Sequence, residues 1–295
     1  MHIAITGANG HLGLKLIRRL LEAGDEVRPI VRSEHAAGTI RGGFPDVDVR
    51  VVDYSDSQGL GEACDGCDTL VHLVGVIKES KANSFEQAHE APCRALVAAN
   101  LSLKHVVYLG IVGTDMASSN ACLQSRARAE THLRQGDVPV TILRVPMVLG
   151  PDDYASMSLR RNGQKSMVIG FRTASLEQPI YSGDVVSAMY AATRLKPKNR
   201  TLDLAGPESL SRAQLIKRAG KCFGNDPNVV SLPIILGYSL AFLFELLSSA
   251  PPVTRAMLGV LDHDDDIDNQ LALDELGMQL TSLDDTLQAV LLAER

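Results

Sequence analysis

The stretch Thr6-Gly7-Ala8-Asn9-Gly10-His11-Leu12-Gly13 decides the fold of this 295-residue chain. It separates an apolar run at residues 2–5 from an amphipathic run that begins at residue 12, which predicts a strand, a glycine turn and a helix. Gly7 permits a tight turn, Gly10 lets the backbone approach a pyrophosphate, and Gly13 lets the helix pack on the strand. Phosphates would bind the free N–H groups at the helix N-terminus. The contacts predicted from this turn are Gly7, Asn9, Gly10, His11, Leu12 and Gly13.

The composition is that of an ordinary globular protein, with 45% hydrophobic and 22% charged residues. A net charge of −6 and an aromatic content of only 4% argue against nucleic acid as a partner. Five cysteines without extracellular features, and a strand directly at the N-terminus, predict a cytoplasmic protein with reduced thiols and no leader peptide. Cys64 and Cys67 supply only half of a zinc site, so no metal is expected.

Apolar runs and helical patterns alternate through the first half of the chain. Continuous apolar strands separated by helices predict an α/β fold with a parallel sheet covered on both faces. Right-handed crossovers then give a Rossmann-type doubly wound sheet, with its ligand crevice at the carboxyl ends of the strands. We expect a nucleotide-binding domain at residues 1–150 and a small, mostly helical C-terminal lobe at residues 151–295 that shares the sheet.

The end of the second predicted strand, Arg32-Ser33, indicates which dinucleotide binds. NAD specificity usually needs an acid there to accept the ribose hydroxyls, and Glu26 lies at the wrong end of the strand. The guanidinium of Arg32 suits a 2′-phosphate instead, and the Ser33 hydroxyl can add a donor. The prediction is NADP(H) in preference to NAD(H). The alternative is that Arg32 is a solvated charge at the strand end.

Two further strand ends are placed to meet the cofactor. Asp53 follows the third strand, where it either meets the adenine or serves as an ordinary turn aspartate. The fourth strand leads into Leu73, Val74 and Gly75, whose backbone groups would face the cofactor riboses. These four residues therefore join the predicted cofactor site.

These motifs, together with Leu143-Arg144-Val145-Pro146 and Gly150-Pro151, resemble the extended and atypical short-chain dehydrogenase/reductase superfamily over almost the whole chain. Residues 71–79, 84–89 and 206–208 are similar to one branch of it. That branch contains the nucleotide-binding accessory subunit of respiratory complex I and its bacterial relatives. The resemblance implies a Rossmann fold, bound NADP(H) and a small C-terminal lobe, and it adds Pro146 to the cofactor-binding residues.

Active members of the superfamily use a Tyr-x-x-x-Lys pair with a Ser or Thr. The lysine lowers the tyrosine pKa, and the tyrosine moves the proton that accompanies hydride transfer. In this chain Cys122 stands in place of the tyrosine and Arg126 in place of the lysine, and the serine position falls at Gly110 or Ile111, so all three catalytic positions are degenerate. Arginine holds its proton and cannot join a relay, but Arg126 could still bind the nicotinamide ribose. A Cys122 thiolate beside it could be reactive.

Three other residues can each be interpreted in two ways. Tyr154 and Tyr181 either enter a substrate pocket or are ordinary half-buried tyrosines that lack a helical lysine. Arg144 precedes Pro146 at the crevice, where we expect either a buried ion pair or a contact with substrate.

The leading hypothesis is a protein of the atypical short-chain dehydrogenase/reductase type, in which a structural or regulatory nucleotide serves a respiratory or quinone-linked assembly. An alternative is an NADP-dependent reductase, epimerase or isomerase that uses replacement catalytic residues on a hydrophobic or nucleotide-linked substrate. A third hypothesis is a sensor of the NADPH/NADP⁺ ratio. If the chain is an enzyme, it is an NAD(P)-dependent oxidoreductase or epimerase.

Residues 229–244 contain no charged side chain. This segment is short for a membrane-spanning helix, and Pro233 and Gly237 interrupt it. It either packs as a helix in the C-terminal lobe or touches the inner face of a membrane as a peripheral contact.

Overall fold

The computed structural model describes residues 1–79, 83–151, 153–247, 253–260 and 263–292. Within them the strands are β1 (His2–Thr6), β2 (Glu26–Val31), β3 (Arg50–Val51), β4 (Thr69–His72), β5 (His105–Ile111), β6 (Val140–Val145), β7 (Val148–Leu149), β8 (Met167–Phe171), β9 (Leu176–Glu177), β10 (Ile180–Tyr181), β11 (Arg200–Asp203), β12 (Leu210–Ser211) and β13 (Asn228–Leu232). The α-helices are α1 (His11–Glu22), α2 (Glu34–Gly43), α3 (Ser57–Cys64), α4 (Ala91–Ala98), α5 (Ala121–Gln135), α6 (Tyr154–Gly163), α7 (Ser182–Ala192), α8 (Arg212–Lys221), α9 (Ile234–Leu247), α10 (Arg255–Val260), α11 (Gln270–Leu276) and α12 (Leu283–Leu291).

Seven strands form the central parallel sheet, in the order β11-β6-β5-β4-β1-β2-β3. The register pairs Thr6 of β1 with Ile30 of β2 and with His72 of β4, so these three strands end at the same level. Every residue of β4 is buried, as expected of a strand with helices on both faces. The sheet confirms the predicted α/β fold of Rossmann type, and its strand order reverses between β1 and β4.

The helix after the glycine turn follows the apolar period of its sequence. In α1 the side chains of Leu16, Ile17 and Leu20 are buried at three- and four-residue spacing, together with Gly13. The helix ends where Gly24 takes a φ of +78°, a left-handed conformation that suits glycine. The spacing of the apolar residues thus determines which face of α1 is buried, and Gly24 determines where the helix ends.

The helical pattern at residues 85–100 corresponds to two helices of different pitch. A π-helical turn, Glu86–Glu90, leads directly into α4. Pro92 lies in the first turn of α4 and has no N–H to donate, so the regular ladder of α-helical hydrogen bonds cannot run through it. The wider turn precedes the proline and buries His89.

Two compact units divide the chain, and neither is continuous in sequence. The first consists of Met1–Arg144, Val186–Leu202 and Asp274–Met278. Its core includes Leu70 of β4 and Tyr108 of β5, packed with residues of α3, α4 and α5. The nucleotide motifs from residue 6 to residue 126 therefore all lie in this unit.

The second unit consists of Val145–Val185, Asp203–Leu273 and Gln279–Arg295. It combines helices with three short strand pairs, β7 with β10, β9 with β12, and β8 with β13. Its core brings together residues of α6, α8 and α12, including Leu215 and Leu287. Short strands thus accompany the helices that the sequence predicted here.

The uncharged segment at residues 229–244 is not one helix. It runs through β13, which ends at Leu232 and pairs in parallel with β8, and continues in α9. Pro233 separates the two elements, because it has no N–H and restricts the residue before it to extended conformations. In the part of the chain that the structure describes, none of the helices has the length and apolar character that a membrane span requires.

Three histidines are buried in the first unit and are held neutral there. His72 and His105 each bond a threonine hydroxyl, at 2.6 and 2.9 Å, and His89 Nε2 lies 2.9 Å from the Val76 carbonyl oxygen. Burial lowers the pKa of His72 and of His89 to about 3, and that of His105 to about 4. The folded chain therefore resists protonation at all three sites.

We expect the free energy of unfolding to fall as the pH drops from about 6.5 to about 4. In that range the unfolded chain takes up protons on these histidines, whereas the folded chain does not, because its pKa values lie lower. Each histidine removes up to about 2 kcal/mol by pH 5. Urea unfolding at pH 7.5, 6 and 5 measures the effect.

His105→Gln serves as the test variant, because it lies away from the nucleotide motifs, and it should flatten the pH dependence. The matched control His35→Gln, at an exposed position, should leave it unchanged. A pH dependence that is equally steep in both variants would contradict the assignment.

Candidate functional site

The glycine turn brings the ends of β1 and β4 into direct backbone contact. Gly7 has a φ of +71°, and a Cβ atom there would lie 3.1 Å from the carbonyl carbon of Leu73 and 3.2 Å from the nitrogen of Val74. At Gly13 a Cβ atom would lie 2.5 Å from the carbonyl oxygen of Ala8, so α1 could not pack this closely on the turn. The turn therefore needs glycine at positions 7 and 13.

The N-terminus of α1 is open beside this turn. The helix begins at His11 after Gly10, no side chain caps it, and its first turn contains no acid. Asn9, Gly10 and His11 are exposed, and Leu12 is half-buried. Uncapped N–H groups and the positive end of the helix dipole favour an anion, so this end of α1 can hold a phosphate.

Tyr54 ties the turn to the second strand, a role that the sequence did not indicate. Its hydroxyl accepts a hydrogen bond from the Gly7 N–H at 2.8 Å and donates to the Ile30 carbonyl oxygen at 3.0 Å. Burial raises the pKa of Tyr54 to about 12, so the hydroxyl stays protonated and keeps both bonds. The Gly7 N–H is therefore engaged by the protein, and the N–H groups of α1 remain for a ligand.

The residues predicted to meet the adenine side lie at the ends of β2 and β3. Arg32 is exposed, and the Ser33 hydroxyl caps α2 by accepting a hydrogen bond from the Ala36 N–H at 3.3 Å. Asp53 accepts bonds from the N–H and hydroxyl of Ser55 at 2.9 and 2.8 Å, which is a turn contact. These bonds, with the charge of Arg32, lower the pKa of Asp53. An anionic group of a ligand at the end of β2 would therefore contact the exposed guanidinium of Arg32. The Asp53 carboxylate near Arg32 stays ionised.

Arg126 is buried against Gly75 at the end of β4. A Cβ atom on Gly75 would overlap the Nη2 atom of Arg126, so only glycine leaves room for the guanidinium. Nη1 donates to the Tyr108 hydroxyl at 3.0 Å and to the Leu109 carbonyl oxygen at 3.3 Å. Among the described residues Arg126 has no carboxylate partner, and its buried Nε has no acceptor. The structure therefore brings Gly75 and Arg126 together with unused donor capacity.

Cys122 is a buried thiol rather than a reactive thiolate. Its Sγ donates to the Val76 carbonyl oxygen at 3.6 Å. Burial raises the pKa of Cys122, although the nearby charge of Arg126 acts in the opposite direction. A protonated and hydrogen-bonded sulfur is a poor nucleophile. The structure therefore does not support a reactive thiolate at Cys122.

Gly110 makes room for an ion pair in which Glu130 is buried and Arg144 is half-buried. A Cβ atom on Gly110 would lie 3.0 Å from Glu130 Oε1 and 3.2 Å from Arg144 Cγ. Arg144 binds Glu130 through two hydrogen bonds, Nε to Oε1 at 3.0 Å and Nη2 to Oε2 at 2.5 Å. Arg144 therefore forms an ion pair with a buried carboxylate, in agreement with one of its two interpretations. This pair therefore fills the space beside Gly110.

Three candidate residues belong to the second unit. Pro146 directly follows β6, Tyr181 ends β10 and is half-buried, and Tyr154 begins α6 with 68% of its surface exposed. Their proposed contacts with cofactor or substrate stay predictions.

The first unit fits a dinucleotide by its own geometry. The close backbone approach at Gly7 and the open start of α1 lie at the carboxyl end of β1, and the unpartnered Nε of Arg126 belongs to a guanidinium that packs on Gly75, just after β4. A parallel sheet of this kind binds its ligand at that edge, where the strand order reverses.

The sequence profile of a family described as NAD(P)H-binding matches residues 7–167, which is more than half of the chain. Ceramide reductase of Caulobacter vibrioides is 23% identical over 260 residues, which cover 85% of this chain and 80% of that protein. The profile includes the glycine turn and both arginines, Arg32 and Arg126, that the site contains.

Solved structures share the fold over nearly the full length. Triphenylmethane reductase of a Citrobacter species superposes with a TM-score of 0.78 at 20% identity, over 99% of this chain and 100% of that one. UDP-glucuronic acid 4-epimerase of Bacillus cereus, solved with UDP-glucuronic acid and NAD, gives a TM-score of 0.72 at 17% identity, over 98% and 97%. With the Rossmann-type fold of these reductases and epimerases, the chain belongs to the NAD(P)H-binding family.

Proposed function

We propose that this protein binds NADP(H) as a structural or regulatory nucleotide. The observation that carries the proposal is the buried guanidinium of Arg126 against Gly75, which offers a cation to the cofactor but no exchangeable proton. The neighbouring positions support it, because Cys122 is a protonated thiol and the space beside Gly110 holds the Glu130–Arg144 pair. A nucleotide that binds only the folded chain stabilises it by about 2.7 kcal/mol at one hundred times its dissociation constant.

The preference for NADP(H) rests on Arg32 and Ser33. Arg32 is exposed at the end of β2 and keeps its side chain available to a 2′-phosphate, since Asp53 is engaged by Ser55. The Ser33 hydroxyl accepts from the Ala36 N–H and retains its own proton for donation. An NAD-specific site would instead place a carboxylate at the end of β2.

The assembly that the nucleotide serves is proposed to be respiratory or quinone-linked. Support comes from residues 71–79 and 84–89, the stretches that resemble the complex I accessory-subunit branch. In the structure these stretches bond each other, because His89 on the π-helical turn reaches both backbone groups of Val76. This proposal places the protein on the inner face of a membrane.

A second candidate function is a reductase for a lipid-like carbonyl compound, which the ceramide reductase relative favours. Bound NADPH would supply the hydride in such a reaction. Arg126 would offer its cation near the reacting end of the cofactor, and the proton would have to come from a group other than Cys122 or Gly110.

One helix of the second unit presents an apolar face that we propose lies on a membrane surface. Gly237 packs on the Phe171 ring of β8, and Ala241 is buried on the same side of α9. The opposite side, called here the α9 apolar face, carries Ile235, Leu236, Leu240, Phe242, Leu243, Leu246 and Leu247, all exposed. Ile169 of the neighbouring strand β8 is exposed as well. A surface this apolar marks an interaction site.

The charges beside the α9 apolar face neutralise each other. Arg255 donates from its Nε to Glu245 Oε2 at 2.7 Å, and its guanidinium lies 5.1 Å from the centre of the Phe242 ring. No other charged residue lies between residues 229 and 247. A helix with an apolar face and a neutral border suits the headgroup boundary of a zwitterionic bilayer, so binding should depend little on salt.

The purified protein should release NADP(H) on denaturation and bind NADPH more tightly than NADH. Arg32→Ala should weaken NADPH binding about tenfold or more, because a charge-assisted contact with the 2′-phosphate is lost, and should leave NADH binding unchanged. Isothermal titration measures both. Arg18→Ala, an exposed arginine on α1, is the matched control and should bind like the wild type. Tighter binding of NADH by the wild type would refute the NADP(H) preference.

A structural nucleotide should remain bound through extended dialysis and should not be oxidised by added acceptors. Arg126→Met should lose the nucleotide on dialysis, whereas Arg128→Met, an exposed arginine on the same helix, should retain it. The measurement is the absorbance of NADPH at 340 nm, with a long-chain ketone in lipid vesicles as the added acceptor. Acceptor-dependent oxidation by the wild type would overturn the structural role and support the reductase candidate.

The protein should sediment with uncharged phosphatidylcholine vesicles. The double variant Leu236→Glu/Leu243→Glu should lose this binding, because two carboxylates would enter the headgroup boundary. Leu271→Glu, at an exposed leucine of α11, is the matched control and should sediment like the wild type. Equal sedimentation of all three proteins, or self-association of the wild type in place of vesicle binding, would refute the membrane contact.

A further inference from the structure

A row of polar side chains crosses the three central strands directly under the predicted cofactor edge. The register pairs Thr6 of β1 with His72 of β4, and His72 with Tyr108 of β5. Thr6 Oγ1 lies 2.6 Å from His72 Nδ1, and the rings of His72 and Tyr108 stack with centroids 5.7 Å apart at 19°. The row ends at the Tyr108 hydroxyl, which accepts the bond from Arg126.

Polar side chains such as these are unusual at the buried centre of a parallel sheet. All three side chains are fully or almost fully buried, and His72 Nε2 has no hydrogen-bond partner among the described residues. Apolar residues would fill the same positions without the cost of burying unsatisfied polar atoms. Stability alone does not explain these polar side chains, whereas the buried cation at the end of the row does.

We propose that Tyr108 is a positioning residue, supported by His72 and Thr6, that fixes the guanidinium of Arg126 against Gly75 and thereby sets the affinity for the nicotinamide half of the cofactor. This inference rests on the proposed binding of NADP(H). Arg126 has two protein contacts through Nη1, of which the Tyr108 hydroxyl is the shorter. A guanidinium buried without a carboxylate stays in place only while such neutral acceptors hold it.

The location of the row explains why its effect should be confined to one half of the cofactor. Thr6 leads directly into the glycine turn, but the turn is held by Tyr54 and by the backbone of Leu73, which do not depend on Tyr108. The adenine-side candidates Arg32 and Asp53 follow β2 and β3, on the other side of β1. Loss of the Tyr108 hydroxyl should therefore release Arg126 and leave the adenine side intact.

The test compares NADPH with 2′,5′-ADP, which lacks the nicotinamide half. Tyr108→Phe keeps the ring and its stacking on His72 but removes the hydroxyl, so NADPH affinity should fall about tenfold while 2′,5′-ADP affinity is unchanged. The fluorescence of bound NADPH should also move towards that of free NADPH. Tyr190→Phe is the matched control in the same unit, because the Tyr190 ring contacts Arg19 and Arg194 through its face. It should bind both ligands like the wild type.

Gly75→Ala provides a second variant with Tyr108 intact, since its Cβ atom would displace the Arg126 guanidinium, and it should show the same selective loss. Unchanged NADPH affinity in both variants would overturn the positioning role. Equal loss of both ligands would do so as well, because it would indicate general damage to the fold. If the wild type binds neither ligand, the proposed function itself fails, and this result is distinct from the other two.

Discussion

The contact on which this structure depends is the approach of the Gly7 turn to the backbone of Leu73 and Val74. β1 and β4 are the neighbours at which the strand order reverses, so their separation at the carboxyl edge defines the floor of the crevice. A side chain at residue 7 would push the turn away from β4. The hydrogen bond between Thr6 and His72, which joins the same two strands, would then lengthen as well.

The sheet and the glycine turn could be predicted from sequence because their signals are local. Apolar period and glycine spacing act over a few residues, and they identified β1, the turn and α1 to within one or two positions. The bond from Gly7 to Tyr54 could not be predicted, because it joins a backbone N–H to a side chain 47 residues away. Gly110 illustrates the same limit. By sequence it is a missing serine, whereas the structure shows that its lack of a side chain accommodates the Glu130–Arg144 pair.

Helix α5 shows how burial acts differently on two neighbouring groups. Cys122 and Arg126 lie four residues apart on one face, and both are buried. Burial keeps the thiol protonated and neutral, whereas the guanidinium is too basic to lose its proton and remains a cation. The face therefore combines one inert group with one fixed charge. That pairing suits a site that holds an electron-rich ligand without exchanging protons with it.

The discontinuity of the first unit has a consequence for how the protein is made. The central sheet receives its edge strand β11 only after residue 200, and Glu275, which pairs with Arg200, follows later still. During translation the sheet therefore stays one strand short until about two thirds of the chain has left the ribosome. Until then β6 is an unpaired edge that can capture a wrong strand from the same or another nascent chain. Synthesis beyond residue 200 ends this vulnerable interval.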